Sequence, residues 1–380
     1  MKVSGIETFV TYGAPRNWVF VKVSTDVGFH GWGEATLEWR DRTMQAAVAE
    51  LGAQLVGEDP LPVEYHWQRL YRHGFWKGGV VLNSALAALD QALWDIRGKA
   101  WGVPVYRLLG GPARERIRVY THVGIYDPQK MIDDARRDVA AGFTALKTGS
   151  WLVEPPMSEP AMIAAFAERV ALLREAVGPN VDILFDNHGR SLPGTAVRMM
   201  RALEPYRLFW LEELTQPDDI DALARLRAAN PSTDLATGER LYSKWDFLPL
   251  LEKRLVDVIQ PDICHAGGIT EVKKIAALAE AYYVQVAPHN PQGPISTAAA
   301  AHLGMAIPNF SILELVQGRA IARQDGFLKE PWEVRDGYLQ VPDRPGLGVD
   351  IDEEAFARHP AGTIDIPSAA FNRDGGVADI

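Results

Sequence analysis

VDILFD, at residues 181–186, is a short apolar run ending on an acid, and the chain repeats that pattern at a regular interval. LFWL leads to Glu212, LATG to Glu239, VDVIQP to Asp262, VQVAP to His289 and FSIL to Glu314. From Asp186 onward these residues stand 26, 27, 23, 27 and 25 positions apart. Each step has room for a strand, a loop, a helix and a return loop, which is the repeat of a closed parallel barrel. All strands of such a barrel point one way, so the residues that end them form a ring around one mouth. A ring of carboxylates with histidine among them suits a metal ion and acid–base chemistry.

Two earlier strands complete the count. IRVYTHV begins at Ile117 and FTALKT at Phe143, and the amphipathic MIDDARRDVAAG between them closes at Gly142. Runs at 182–186, 208–212, 234–237, 256–260, 283–287 and 310–314 bring the total to eight. AERVALLREAVG, AVRMMRALEPY, DALARLRAAN and VKKIAALAEAY lie between them as helices, so an α/β barrel of the TIM type is expected.

Residues 1 to about 115 follow another pattern. FVKVST and the stretch leading to GWGE predict a hairpin or meander around Asp26 and Gly28. TMQAAVAELGAQL, VEYHWQRLYR and SALAALDQALWDIRGKAWG then carry helical spacing, and Gly110, Gly111 and Pro112 punctuate the end. The expected division is an α+β capping domain at 1–115, the barrel at 116–320, and a C-terminal segment at 321–380 that crosses back to complete the cap. Trp18, Trp39 and Trp76 are expected mostly in the core of the first domain.

Composition narrows the function. No apolar stretch approaches the roughly 20 residues that span a bilayer, and MKVSGIETFV lacks a signal-peptide pattern. The single cysteine, Cys264, excludes an intrachain disulfide and a Cys-based metal cage, which fits a cytoplasmic protein. A net charge of -10 disfavours nucleic acid or an anionic membrane as partner. A small molecule is the expected partner, and a homo-oligomer the expected assembly.

Asp186, Glu212 and Glu239 end three neighbouring strands. Acids in such places can cap the following helices, but three converging on one pocket call for a cation, and hard oxygen donors suit Mg²⁺. Glu213 points to the other side of its strand. Asp262 beside His289 orients the imidazole and raises its basicity, which makes a general base; the plainer alternative is a structural His–Asp pair. His188, two residues beyond Asp186, shares its face if the strand continues, and lies across the barrel from His289. One imidazole then takes a proton while the other gives one. With Mg²⁺ between them the set fits removal of a proton α to a carboxylate and loss of a β-hydroxyl, a dehydration.

Glu314, if protonated, could donate a hydrogen bond to the substrate carboxylate. Lys147 either neutralises that carboxylate or is solvated. His122 suits packing as well as ligand contact, and Cys264 and His265 suit loop support. The HAGGIT stretch could cradle an anion at a helix start but lacks a nucleotide fingerprint.

With these residues placed, the chain resembles the enolase superfamily, in its mandelate racemase-like subgroup and acid-sugar dehydratase branch. GWGE, ALDQALWDIRGKAWGVPVYRLLGG, DNHG, LEEL, ATGERLYSKWDF, IQPDICHAGGITEVKKIAALAEAY and APHNPQGPI carry the likeness over nearly the whole chain. The resemblance implies a (β/α)₇β modified TIM barrel under a cap of N- and C-terminal segments, with Mg²⁺ held by Asp186, Glu212 and Glu239. It implies His289 with Asp262 as base, His188 as acid, Glu314 near the substrate carboxylate, and a sugar acid of the D-galactonate type as substrate. Racemising and cycloisomerising branches resemble a Lys-X-Lys pattern where this chain has Lys147, Thr148 and Gly149, which disfavours a second base on that strand. Gly149, Asn187 and Leu214 depart from what that dehydratase branch tends to carry, which leaves epimerisation, cycloisomerisation or a metal-binding relative with little turnover as alternatives. Cap loops near residues 14–20 and 72–79 are expected to set specificity.

Overall fold

The computed structural model describes every residue except 14–15, 73, 150–158, 230, 317–325, 364–369, 372–373 and 379–380. Three antiparallel strands open the chain: β1 (Val3–Tyr12), β2 (Asn17–Thr25) and β3 (His30–Glu34), paired in that order. Helices α1 (Asp41–Gly52), α2 (Val63–Arg72), α3 (Gly79–Trp101) and the short α4 (Val105–Leu108) follow. β2 is almost wholly buried because both of its faces are covered. Val19, Val21 and Val23 join a core with α1, α2 and α3, while Trp18 and Phe20 pack against aromatic residues of the C-terminal segment. Gly102, in the left-handed region at φ +69, ends α3 without the Cβ penalty another residue would meet.

The barrel begins with β4 (Ile117–His122) and α5 (Pro128–Ala140), then β5 (Ala145–Gly149), α6 (Glu159–Val177), β6 (Asp182–Asp186) and α7 (Pro193–Leu203). β7 (Trp210–Glu212), α8 (Ile220–Ala228), β8 (Asp234–Thr237), α9 (Lys244–Glu252), β9 (Val258–Ile259) and α10 (Gly268–Ala281) continue it. β10 (Gln285–Val286), α11 (Pro294–Ala306) and β11 (Leu313–Glu314) complete it. Neighbours pair in parallel from β4 to β10. β11 pairs with β4, and a parallel bridge between Val286 and Phe310 joins β10 to the approach of β11, so the sheet closes. Side chains alternate across each strand. Tyr120, Ala145, Leu184, Trp210, Ala236, Val258, Ala287 and Ile312, one from each strand or its flank, form a separate buried cluster that fills the barrel.

The tail divides. β12 (Glu333–Arg335) and β13 (Tyr338–Gln340) form a hairpin, and β13 pairs antiparallel with barrel strand β4 rather than with the cap. Residues 350–362 instead reach the first sheet. Asp350 accepts from Trp32 Nε1 at 2.7 Å, Phe356 of α12 (Glu354–Arg358) stacks on Phe9 at 4.5 Å, and Asn17 donates to Gly362 O at 3.0 Å. Trp18 is buried as expected, but Trp39 and Trp76 are exposed. Among the described residues, no helix is long and apolar enough to cross a membrane.

Cap residues finish barrel helices. Four N–H groups at the start of a helix lack intrahelical partners, and buried ends need outside acceptors. Glu34, at the end of β3, accepts from Gly293 N at 2.6 Å and Ser296 N at 3.0 Å at the start of α11. Asp90 of α3 accepts from Thr270 N at 3.0 Å at the start of α10, so the HAGGIT turn receives the protein's own carboxylate. Asn83 donates to Tyr242 O at 2.7 Å, Gln91 to Ile263 O at 3.3 Å and Trp67 to Gly267 O at 2.7 Å. The GWGE and ALDQ landmarks are therefore docking residues that fix the loops at the barrel mouth.

Burial pushes the Glu34 carboxyl up to about 7. A folded-state value above the unfolded one means that the folded protein holds the extra proton, so this contribution is present at low pH and is lost as pH rises toward 7. Wild-type stability should therefore fall between pH 5 and 8 by up to about 3 kcal/mol more than that of Glu34→Gln. Unfolding profiles of the two proteins at several pH values check this, and parallel profiles would refute it.

Candidate active site and metal centre

Two residues beyond the apolar plug, each strand again points inward. Tyr120 is followed in this way by His122, Ala145 by Lys147, Leu184 by Asp186, Trp210 by Glu212, Val258 by Gln260, Ala287 by His289 and Ile312 by Glu314. Strand register aligns the third and fourth of these, since Gly149, Asp186 and Glu212 are successive cross-strand partners. On β8 the equivalent position is Gly238, whose φ of +136 turns the chain. Glu239 is thereby brought to the ring one residue later.

Carboxylate oxygens of Asp186, Glu212 and Glu239 lie within 4.8 Å of one another. Glu239 Oε2 is buried without a hydrogen bond, which is costly unless a cation meets it, and Asp186 Oδ2 is met only by the cationic groups of Lys147 and His188. An all-oxygen donor set of three convergent carboxylates fits Mg²⁺. Lys147 is not solvated. It is buried, with Nζ 2.5 Å from Glu212 Oε1, 3.0 Å from Asp186 Oδ2 and 3.4 Å from Glu314 Oε1. Burial alone would lower its pKa, but those three anions hold it well above the usual range. Glu212 moves the other way: burial, then the Asp186 charge, outweigh Lys147 and push its carboxyl up to about 8. Glu213 faces away from the ring and pairs with Arg240 at 2.5 Å.

His188 does not continue a strand. β6 ends at Asp186, and His188 takes a left-handed φ of +49, yet its Nε2 lies 3.2 Å from Asp186 Oδ2. Burial lowers the His188 pKa, and the Asp186 charge more than offsets it, so protonation is favoured. Asp262 and His289 both lie three residues past their short strands. His289 Nδ1 is 2.7 Å from Asp262 Oδ2, and Nε2 turns toward Glu239 at 3.6 Å and Glu314 at 3.9 Å. Burial opposes the charge on His289, but Glu239, Glu314 and Asp262 lift it to about 10. The two imidazoles thus meet different carboxylates of the triad, His188 on Asp186 and His289 on Glu239.

The surroundings of Glu314 favour its ionised form, an acceptor rather than a donor. Burial raises its pKa, but Lys147, His289 and His122 hold it well below the usual range. It accepts from Asn290 N at 2.7 Å and pairs with His122 Nε2 at 2.7 Å. His122 therefore belongs to the ring through Glu314. Gln260 is the ring position that sequence reasoning passed over, a buried amide whose oxygen and nitrogen both lack a hydrogen bond. Counting two residues from Val258 would have found it.

The departures from the family pattern have local causes. A Cβ on Gly149 would sit 1.9 Å from the Asp186 carbonyl oxygen, so the strand admits no side chain there without moving a ring residue. Asn187 donates to Leu214 O at 2.9 Å and to Ser191 Oγ at 3.0 Å, so two of the departures are in contact. Of the cap loops, the first carries the partly buried Arg16, which pairs with Glu38 and is near enough to Glu314 and Asp262 to feel their charges. In the second loop, Phe75 and Trp76 are exposed, while Lys77, Gly78 and Gly79 line a cavity of about 340 Å³ with Ser243, Trp245 and Asp246, outside the carboxylate ring.

Comparison with known proteins accounts for this arrangement. Residues 130–355 match the family described as enolase C-terminal domain-like, and residues 6–110 match the mandelate racemase/muconate lactonizing enzyme N-terminal domain. D-galactonate dehydratase of Variovorax paradoxus is 40% identical, with all of both chains covered. That of Ralstonia nicotianae is 41% identical over 98% of this chain and 99% of its own. Among solved structures, an enolase from Pantoea ananatis with bound D-gluconate and Mg superposes with a TM-score of 0.91 at 33% identity, covering 99% of each chain. An enolase from Agrobacterium radiobacter with bound Na and L-malate gives 0.92 at 35% identity over the whole of both chains. The chain belongs to the enolase superfamily, on its mandelate racemase and muconate lactonizing enzyme branch, as one of its hydro-lyases.

Proposed function

We propose that the chain dehydrates a sugar acid of the aldonate type, with D-galactonate the first candidate, to a 2-keto-3-deoxy acid, using Mg²⁺ held by Asp186, Glu212 and Glu239. The observation that carries the proposal is the pair of imidazoles that meet the triad from the loops after β10 and β6, His289 Nε2 3.6 Å from Glu239 and His188 Nε2 3.2 Å from Asp186. His289 has Nδ1 committed to Asp262 and Nε2 turned inward, the geometry of a general base. It takes the proton from the carbon next to the substrate carboxylate. His188, kept protonated by Asp186, gives its proton to the hydroxyl on the adjoining carbon, the C–O bond breaks, and water leaves. The enol that remains tautomerises to the keto acid. Lys147 and the His122–Glu314 pair orient the substrate carboxylate end. A divalent cation in the triad supplies Lewis acidity for the charge that develops on the carboxylate and offsets the Glu239 charge that otherwise keeps His289 protonated.

Epimerisation or cycloisomerisation from the same proton abstraction is disfavoured by Gly149, where a second base would collide with Asp186 O. The same proposal keeps 1–115 as the cap and 116–320 as the barrel, in a cytoplasmic homo-oligomer, and divides 321–380 between them, the 333–340 hairpin going to the barrel and residues from about 350 to the cap. Incubation of the purified protein and Mg²⁺ with a library of aldonates and aldarates should yield a semicarbazide-reactive keto acid from one of them. No keto acid from any member would end the dehydratase proposal; an epimer in its place would favour the alternative.

A further inference from the structure

Asp262 is fully buried and has donors on both oxygens. Cys264 N meets Oδ1 at 2.6 Å, and His289 Nδ1 meets Oδ2 at 2.7 Å. Gln292 Nε2 adds a longer contact to Oδ2 at 3.4 Å and lies 3.1 Å from His265 Nε2. An amide nitrogen only donates, so His265 Nε2 is the acceptor and this imidazole carries its proton on Nδ1. That Nδ1 is 2.8 Å from Ser84 Oγ, and Ser84 sends its own hydrogen to Val80 O at 2.6 Å. Burial keeps His265 neutral, consistent with a ring that donates once and accepts once. Each proton from Val80 to His289 then has a single assignment.

The two ends of this chain belong to different parts of the fold. Ser84 lies on cap helix α3. His265 and Gln292 lie on the loops that follow β9 and β10. We propose that Ser84, His265 and Gln292 form a positioning chain by which the docked cap holds Asp262, and through it keeps His289 Nδ1–H on Asp262 with Nε2 turned into the ring. The inference rests on His289 acting as the base. If Ser84 is lost, His265 can turn its ring, Gln292 loses its acceptor, and Oδ2 of Asp262 is free to rotate from His289. The imidazole then samples the form with its proton on Nε2, which cannot accept another. Turnover suffers and substrate affinity does not, because none of the three residues is placed in the ring that binds substrate.

The test uses the full-length protein loaded with Mg²⁺, with ¹⁵N-labelled histidine, and His289 assigned by its absence in His289→Asn. Wild type should show His289 with its proton on Nδ1. Ser84→Ala and His265→Leu should lower kcat about 10-fold, change KM by less than about twofold, and bring up the Nε2–H signal. Ser84→Thr and His265→Asn, which restore a hydroxyl and a donor, should recover part of the rate and the Nδ1–H signal. Asn83→Ala removes a different α3-to-barrel bond, at 2.7 Å to Tyr242 O, and should leave the tautomer as it is. Equal effects of Asn83→Ala and Ser84→Ala on kcat and tautomer would overturn the chain in favour of cap docking in general. Wild-type kcat and tautomer in both Ser84→Ala and His265→Leu, with exchange of the substrate α-proton lost in His289→Asn, would overturn the chain alone. Retained exchange in His289→Asn would overturn the base assignment and the chain with it.

Discussion

His289→Asn should lose exchange of the substrate α-proton with solvent by a factor of about 10²–10⁴, the range expected when a general base is removed. Asparagine keeps an N–H near the position of Nδ1, so Asp262 retains its partner and no buried charge is left alone. Only Nε2, the atom turned toward Glu239 and Glu314, is lost. Proton NMR in D₂O follows the exchange directly, without requiring turnover. His188→Asn should behave differently, exchanging the α-proton but releasing little keto acid, because it lacks the donor to the leaving hydroxyl. The pH dependence has a definite sign. A base must be deprotonated, and His289 is lifted to about 10 by the surrounding carboxylates, so exchange should rise with pH, and that rising limb should move to lower pH as Mg²⁺ is added. Normal exchange in His289→Asn would remove this residue from the mechanism.

The sequence made the ring legible because a barrel repeats two periods at once: about 25 residues between strands, and two residues between inward side chains. Asp186, Glu212, His289 and Glu314 stand in phase with the plug residues two positions earlier, which alternation alone predicts. Glu239 is out of phase. It reaches the ring because Gly238 adopts a positive φ, a backbone choice that sequence spacing does not reveal. His188 arrives by a left-handed turn rather than along a strand face, so its position was anticipated for a reason the structure does not support. The charge states were less legible still. The sequence leaves the proton on Glu314 open, and the ionised form is favoured because Lys147, His289 and His122 converge on it from other strands. For Lys147 the sequence leaves substrate contact and solvation both open, although a position in phase with Ala145 leads into the barrel. Such properties depend on what the other strands bring to the same point, and a single strand carries no record of it.

The carboxylate triad separates a metal centre from a set of helix caps by stability as well as by activity. A cap stabilises the protein whether or not a cation is present, so its removal lowers the melting temperature in EDTA. A convergent triad does the opposite. Burial and the Asp186 charge push Glu212 up to about 8, which marks a carboxyl that resists ionisation until a cation compensates it. Glu212→Gln and Glu239→Gln should therefore match or exceed wild type in melting temperature in EDTA, while losing the rise that Mg²⁺ gives wild type. That rise should reach about 2.7 kcal/mol of stability at 100 times the dissociation constant. Mg²⁺ affinity in each variant should fall by more than the roughly 10–100-fold that follows loss of a merely supporting partner. Because Glu212 resists ionisation and Glu239 keeps His289 protonated, binding of Mg²⁺ at pH 7 should expel protons, read from calorimetry in buffers of different ionisation enthalpy. Variants that unfold earlier than wild type in EDTA, together with a Mg²⁺ response that they retain, would assign these acids to helix capping and leave the imidazoles without the cation they require.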